Sequence, residues 1–583
     1  MSTVERGRRA AAVTRTPVEM PHWSDLTGAP GPFRGRAAAA LLALAVPADA
    51  RVLVAGPHDP ALVAALPVPP ERVTWLLRSR HDALAAAAAT GVEVVCGGPE
   101  APAGRAYDVI VALDGLDRVV SAEGRQLGWA QALETVAGLL APGGTLLLGL
   151  ANPLGVHELT ALTPTPHEGA DRHWHAPAVT DPDRPGSPDR LDTVLARDGL
   201  SVRRRWLGYP DPVAPALLLD PQAGAVQAAD GEPSGAVSAA LADAWAGEPG
   251  APTLGDPHAL AADALANGLG AAFAPLWLVL AVREPADLPE LPELVAAEPA
   301  GPAAVTWTLR GGAREVVPPA PADVAAFGVG RDLSLLAGPV PAGPGFARVL
   351  RDACRRRDTP RVRRLLIAYA DWLRGHADER GLVGGAYACT GLDGLVLTGD
   401  GPAVLDRSWF AGERPYPVVL ARTLRRFAVD LLTRGAVHPW PDTLDADALT
   451  LVLTGAAGQR PDPDAVAQAV AFEADLRAAR AGLDRTGRDE LARRLAAVDA
   501  GTPPDVAAYQ ELLLAHRRLR TELEHARGVT ARTDQQRRAA EDALRGARRT
   551  AAQLRGSASF RLGRALLAPA RWARAAVRRL RRN

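Results

Sequence analysis

Imidazoles and carboxylates crowd one stretch of the chain. His157, Glu158, His167, Glu168, Asp171, His173 and His175 fall between positions 157 and 175, in polar, Pro-rich sequence. A histidine there can act as a general base on an acceptor hydroxyl, because its ordinary pKa lies near neutrality. His157 and His175 are the candidates. His173-Trp174-His175 offers two imidazoles, but the spacing matches no standard metal site, so no metal is expected. A second group lies on Val54-Ala55-Gly56-Pro57-His58-Asp59-Pro60, where an apolar run turns into a helix start. Gly56 lets a ligand approach the backbone, and a helix start offers free N–H groups. Asp59 suits the N-cap, with Pro60 at the first helical position. A third candidate, Asp114, ends the apolar run 107–114, where the carboxyl end of a strand meets the ligand crevice of an open α/β sheet.

Apolar runs at 51–56, 72–77, 92–96, 108–113 and 145–150 read as strands. Ala-rich segments at 35–45, 59–66, 82–90 and 128–140 read as helices between them. Strands apolar on both faces, separated by helices, call for a doubly wound parallel sheet. Helix 191–198, strand 201–209 and the run 273–282 continue the pattern, the last closing the sheet.

The turn Leu139-Leu140-Ala141-Pro142-Gly143-Gly144 and the apolar run after it, preceded by the run 107–114, resemble the fourth and fifth strands of class I S-adenosylmethionine (SAM)-dependent methyltransferases. Asn152-Pro153-Leu154-Gly155 and the later Tyr209-Pro210-Asp211, followed by Pro215, resemble a bacterial subgroup associated with cell-surface polysaccharide synthesis. The resemblance covers residues 35–285. It implies SAM as cofactor, bound across Ala55, Gly56, His58, Asp59 and Asp114, and O-methyl transfer to a small-molecule or glycan acceptor in envelope biosynthesis. The sequence departs from the family at two places. The cofactor loop has one Gly and no acid on its strand, and the second strand ends on Arg78-Ser79-Arg80, where the family carries a ribose-binding acid. Arginine cannot accept a hydrogen bond. A second reading therefore stands beside the first: an inactive methyltransferase-like scaffold that organises envelope enzymes.

The 583 residues call for more than one domain. The expected division is a flexible leader (1–35), a methyltransferase-like Rossmann domain (36–285), a Pro/Glu linker (286–302), a smaller α+β domain (303–500), a coiled coil (501–555) and a basic amphipathic tail (556–583). In the α+β domain, Asp406 follows the turn Gly399-Asp400-Gly401. It faintly resembles the metal hairpin of kinase-like folds, without the Gly-rich loop, Lys or Asn that would accompany it. Sixty-six basic residues balance sixty-six acidic ones, so no nucleic-acid partner is expected. Every basic residue is Arg.

The three cysteines are scattered, which suits a reducing cytoplasm. Leu512, Leu519, Ala526, Thr533, Ala540, Ala547 and Leu554 recur at heptad spacing, which predicts self-association. Eight arginines and no acid in 556–583, interleaved with Phe560, Leu562, Leu566, Leu567 and Trp572, predict peripheral contact with the anionic inner face of a cell membrane.

Overall fold

The computed structural model describes residues 13–21, 23–27, 31–161, 181–223, 233–245, 255–284, 288–319, 324–434, 436–441, 443–497 and 506–580. The chain forms two compact units, Met1–Pro503 and Pro504–Asn583.

The first unit is built on a thirteen-stranded mixed sheet. Its first twelve strands along the chain are β1 (Val13–Arg15), β2 (Val52–Ala55), β3 (Val73–Leu77), β4 (Glu93–Cys96), β5 (Tyr107–Ala112), β6 (Leu140–Ala151), β7 (Ser201–Tyr209), β8 (Leu217–Leu219), β9 (Leu276–Val282), β10 (Leu294–Ala297), β11 (Thr306–Arg310) and β12 (Ala313–Val317). They lie in the order β1-β4-β3-β2-β5-β6-β9-β7-β8-β10-β11-β12, and Gly338–Pro339 adds the last edge. From β1 to β6 every pairing is parallel. β9 runs antiparallel between β6 and β7.

Alternate residues of β2 and β5 feed opposite cores. Leu53, Ala55, Ile110 and Ala112 pack on one face with Leu133 and Leu195. Val52, Val54, Val109 and Val111 pack on the other with Phe33, Leu41 and Trp75. Strands buried on both faces need continuous apolar sequence, which is why they were visible as runs. Helices α1 (Arg36–Ala45), α2 (Pro60–Ala64), α3 (Arg80–Thr90) and α4 (Trp129–Ala137) supply the covering layers.

Several expectations are corrected. Helix α4 stops at Ala137, and Pro142-Gly143-Gly144 is not a turn outside the sheet but lies within β6. Leu140 pairs with Tyr107 and Thr145 with Val109, so the excess residues bulge. Gly143 there has a φ of 75°, which suits glycine. The segment 286–302 is not a plain linker: Leu294–Ala297 is a fully buried strand joining β8 to β11. β11 and β12, assigned to the second domain, extend the same sheet. The leader is not loose from Val13 onward, since β1 pairs with β4.

The remainder of the first unit has its own core around Phe346, Leu366, Tyr369, Leu424, Leu449 and Phe472. It includes the expected hairpin, Leu395–Thr398 with Gly401–Val404. The second unit consists of the helices Val506–Gly556 and Ala558–Leu580.

Candidate functional site

Strand order reverses between β2 and β5: β3 and β4 lie to one side, β6 to the other. Such a switch point opens a crevice at the carboxyl ends of the strands. Ala55 ends β2, Gly56, His58 and Asp59 follow it, and Asp114 lies two residues past the end of β5.

Ala55 is the buried last residue of β2. Gly56 turns the chain at a φ of 90°, and a Cβ there would meet Val119 Cγ1 at 3.3 Å. Its N–H donates to the Leu76 carbonyl (3.1 Å). Its carbonyl accepts from Trp75 Nε1 (3.0 Å) and lies 3.1 Å from His58 Nδ1. His58 is fully buried, and its Nε2 accepts the Leu113 N–H (3.2 Å). That bond fixes the tautomer: Nδ1 carries the proton and donates to Gly56. Burial lowers the His58 pKa to about 4. Asp59 caps α2 as expected, its Oδ1 accepting from the Ala61 N–H (2.7 Å).

Asp114 faces Arg118, four residues on in the turn that follows β5. Arg118 Nε donates to Oδ2 (2.7 Å) and Nη2 to Oδ1. Burial raises the Asp114 pKa to about 6, with Arg118 pulling it down. Arg78, at the end of β3, is buried. It holds Asp25 through two bonds of 2.8 Å and donates to the Val120 carbonyl (3.0 Å).

On the β6 side, Asn152 Nδ2 donates to the carbonyls of Ala272 (2.8 Å) and Ala274 (2.9 Å). Its Oδ1 accepts from the Leu154 N–H (3.0 Å). This turn delivers His157 on the short helix Val156–Leu159. A Cβ on Gly155 would lie 2.6 Å from His157 Nδ1, so the glycine makes room for the ring. Nδ1 has no hydrogen-bond partner, Nε2 lies 3.7 Å from Glu158 Oε1, and burial lowers the His157 pKa. His175, with His167 and His173, lies outside the described residues.

Sequence reasoning missed Asp25, Arg78 and Arg118 as ion-pair partners. Asp114 and Arg118 meet across a turn, where the helical i,i+4 rule gives no signal. Nothing local joins Asp25 to Arg78. Elsewhere, Asp406 Oδ1 accepts the Ser408 N–H (2.7 Å), and Asp393 is paired with Arg351. A cavity of about 210 Å³ lies away from the crevice, lined by Asp256, His258, Arg348, Arg351, Asp393 and Arg434. Its arginines and aspartates are ion-paired to one another or to neighbours.

No protein-family model matches the chain. No curated protein matches it either. Among solved structures it is similar to a SAM-dependent methyltransferase of Thermotoga maritima described as a possible histamine N-methyltransferase (10% identity, 42% of this chain, 88% of that one, TM-score 0.24). It is similar to a putative methyltransferase of Haloferax volcanii solved with the Trm112 activator (14%, 42%, 87%, TM-score 0.24). A third such structure is the CcbJ methyltransferase of Streptomyces caelestis (20%, 32%, 84%, TM-score 0.20).

Proposed function

We propose that the first unit is a SAM-dependent methyltransferase that transfers a methyl group to a hydroxyl of a small-molecule or glycan acceptor. One observation carries this reading. The parallel order β4-β3-β2-β5-β6, extended by the antiparallel β9 and then β7, is the strand order of the methyltransferase fold that the sequence resembles. Gly56 and Asp114 stand at its switch point.

In the arrangement described, the residues assigned to the cofactor do not fit it. Gly56, His58, Asp59 and Asp114 each have a protein partner, and Arg78 replaces the ribose-binding acid and is itself ion-paired. His157, whose pKa burial lowers and whose buried Nδ1 lacks a hydrogen-bond partner, is our candidate base toward an acceptor hydroxyl.

The same occupied groups favour the second reading, an inactive methyltransferase-like scaffold. Calorimetric titration of the full chain with SAM separates the two. Binding that Gly56→Val abolishes supports the enzyme; no heat at millimolar SAM leaves the scaffold.

For the second unit we propose self-association along the heptad seam and contact with an anionic membrane, consistent with an envelope role. Leu512, Leu519, Leu523, Leu544 and Leu554 are exposed on the single chain. In the helix Ala558–Leu580, Leu562, Leu566, Pro569, Ala573 and Val577 fall on one side at helical spacing. Arg561, Arg564, Arg571, Arg574 and Arg578 fall on the other. Among the described residues no helix is long and apolar enough to cross a membrane, so contact would be peripheral.

A further inference from the structure

Three helix starts of the first unit meet at the cavity of about 210 Å³ that lies away from the crevice. Ser238 stands in the first turn of the helix Gly235–Ala244, and His258 in that of Pro257–Ala266. Gly345 stands at the start of Phe346–Arg355. Helix starts gather unsatisfied N–H groups and the positive end of the helix dipole. The side chains of Ser234 and Asp256 cap the first two, whereas among the described residues no side chain caps the third. A Cβ on Gly345 would meet Ser238 Cβ at 3.0 Å and Ser238 Oγ at 3.3 Å, so the glycine lets the uncapped start close on that hydroxyl.

The same wall holds polar atoms that the fold leaves unused. Ser238 Oγ, His258 Nε2 and Arg351 Nε are buried, and among the described residues none has a hydrogen-bond partner. The whole of His258 is only 3% exposed. Leaving a buried polar atom unpaired is costly, and three around one cavity point to an occupant. The four aspartates of the lining are each paired with arginine, Asp263 and Asp393 with two apiece. With their charge compensated, the uncapped helix start and the Arg351 Nε–H make the cavity a place for a negative group.

We propose that this cavity binds the phosphate group of a small phosphate monoester, with Ser238, His258 and Arg351 as its side-chain partners. Phosphate oxygens accept from the Ser238 hydroxyl and the Arg351 Nε–H. Burial, then the Arg351 charge, lowers the His258 pKa to about 4, which keeps the ring neutral. A singly protonated phosphate both donates and accepts, so it meets a neutral imidazole in either tautomer. Size favours an ester over the bare ion. A cavity of about 150 Å³ holds the six carbons of benzene, so this one exceeds the five heavy atoms of phosphate. The site lies apart from the crevice and does not depend on the methyltransferase reading.

Calorimetry on the full chain, in sodium chloride of matched ionic strength, tests this with inorganic phosphate and glycerol 3-phosphate. Both should bind, glycerol 3-phosphate the tighter, with a Kd of about 1 mM or below. Tighter binding of inorganic phosphate would overturn the ester and make the free ion the ligand. No heat from either at about 10 mM would leave water in the cavity and overturn the site. Ser238→Ala removes a hydroxyl that has no protein partner, so the fold keeps its bonds. Affinity for both probes should still fall about tenfold or more, the weight of one hydrogen bond to a charged group. His258→Phe keeps a ring near Trp245, whose centroid lies 6.0 Å from that of His258, and should weaken binding similarly. Undiminished affinity in either variant overturns the site; should His258→Phe fail to fold, Ser238→Ala decides.

Discussion

At the scale of single residues, His58 shows how the crevice is sealed and what that does with pH. Its neutral ring bridges the Gly56 carbonyl and the Leu113 N–H, so a second proton would remove the acceptor Leu113 needs. With a folded pKa of about 4, the unfolded chain binds more protons than the folded one between pH 6.5 and 4. His58 therefore contributes stability above that window and loses it as pH falls, by about 3 kcal/mol at pH 4. Asp114, raised to about 6, works the other way. There the folded state holds the extra proton, so its contribution fades as pH rises from 4 to 6. In His58→Gln the loss of unfolding free energy between pH 7 and 4, read by urea titration, should shrink by about 3 kcal/mol. Parallel curves would show that His58 does not titrate as a buried group. The Asp59 cap was legible because Asp-Pro at a helix start is local chemistry. Asp25 and Arg78 are 53 positions apart, and no local pattern ties them.

Among the elements, legibility followed burial. β2, β3, β5 and β9 are buried on both faces and stood out as apolar runs. Leu294–Ala297 is equally buried and as long as β2, but the Pro and Glu around it gave it the look of a linker. Its true weight can be measured. Leu294 is fully buried in the core shared with Leu217, Leu219 and Trp307. Leu294→Ala should cost about 2–5 kcal/mol in denaturant unfolding of the first unit. A cost below 0.5 kcal/mol, the range of surface substitutions, would restore the linker. Pro142-Gly143-Gly144 misled for a related reason: these residues end strands in most settings, but a bulge absorbs them.

For the whole molecule, the two units make separate predictions. The helix Ala558–Leu580 should bring the chain down with phosphatidylglycerol vesicles, each arginine near the surface contributing about 1 kcal/mol. Changing Arg561, Arg564, Arg571, Arg574 and Arg578 to Glu should abolish sedimentation, and raised salt should weaken it in the wild type. Sedimentation unchanged by either would end the membrane proposal. The basic, acid-free composition made this helix visible in sequence. The extent of the large sheet was not visible, because its last strands are short and lie beyond the apparent boundary at 285.

That extent bears on how the protein is made. β8 pairs with β10, and β10 with β11, so the edge of β8 stays open until residues past 297 have left the ribosome. The sheet is complete only at Gly338–Pro339. At about 5–20 residues per second, the 78 residues from Leu219 to Ala297 leave the apolar edge of β8 unpaired for roughly 4–16 s. A fragment ending at 285 would keep that edge permanently and should aggregate, whereas one ending in the Pro-rich stretch after 500 should stay in solution.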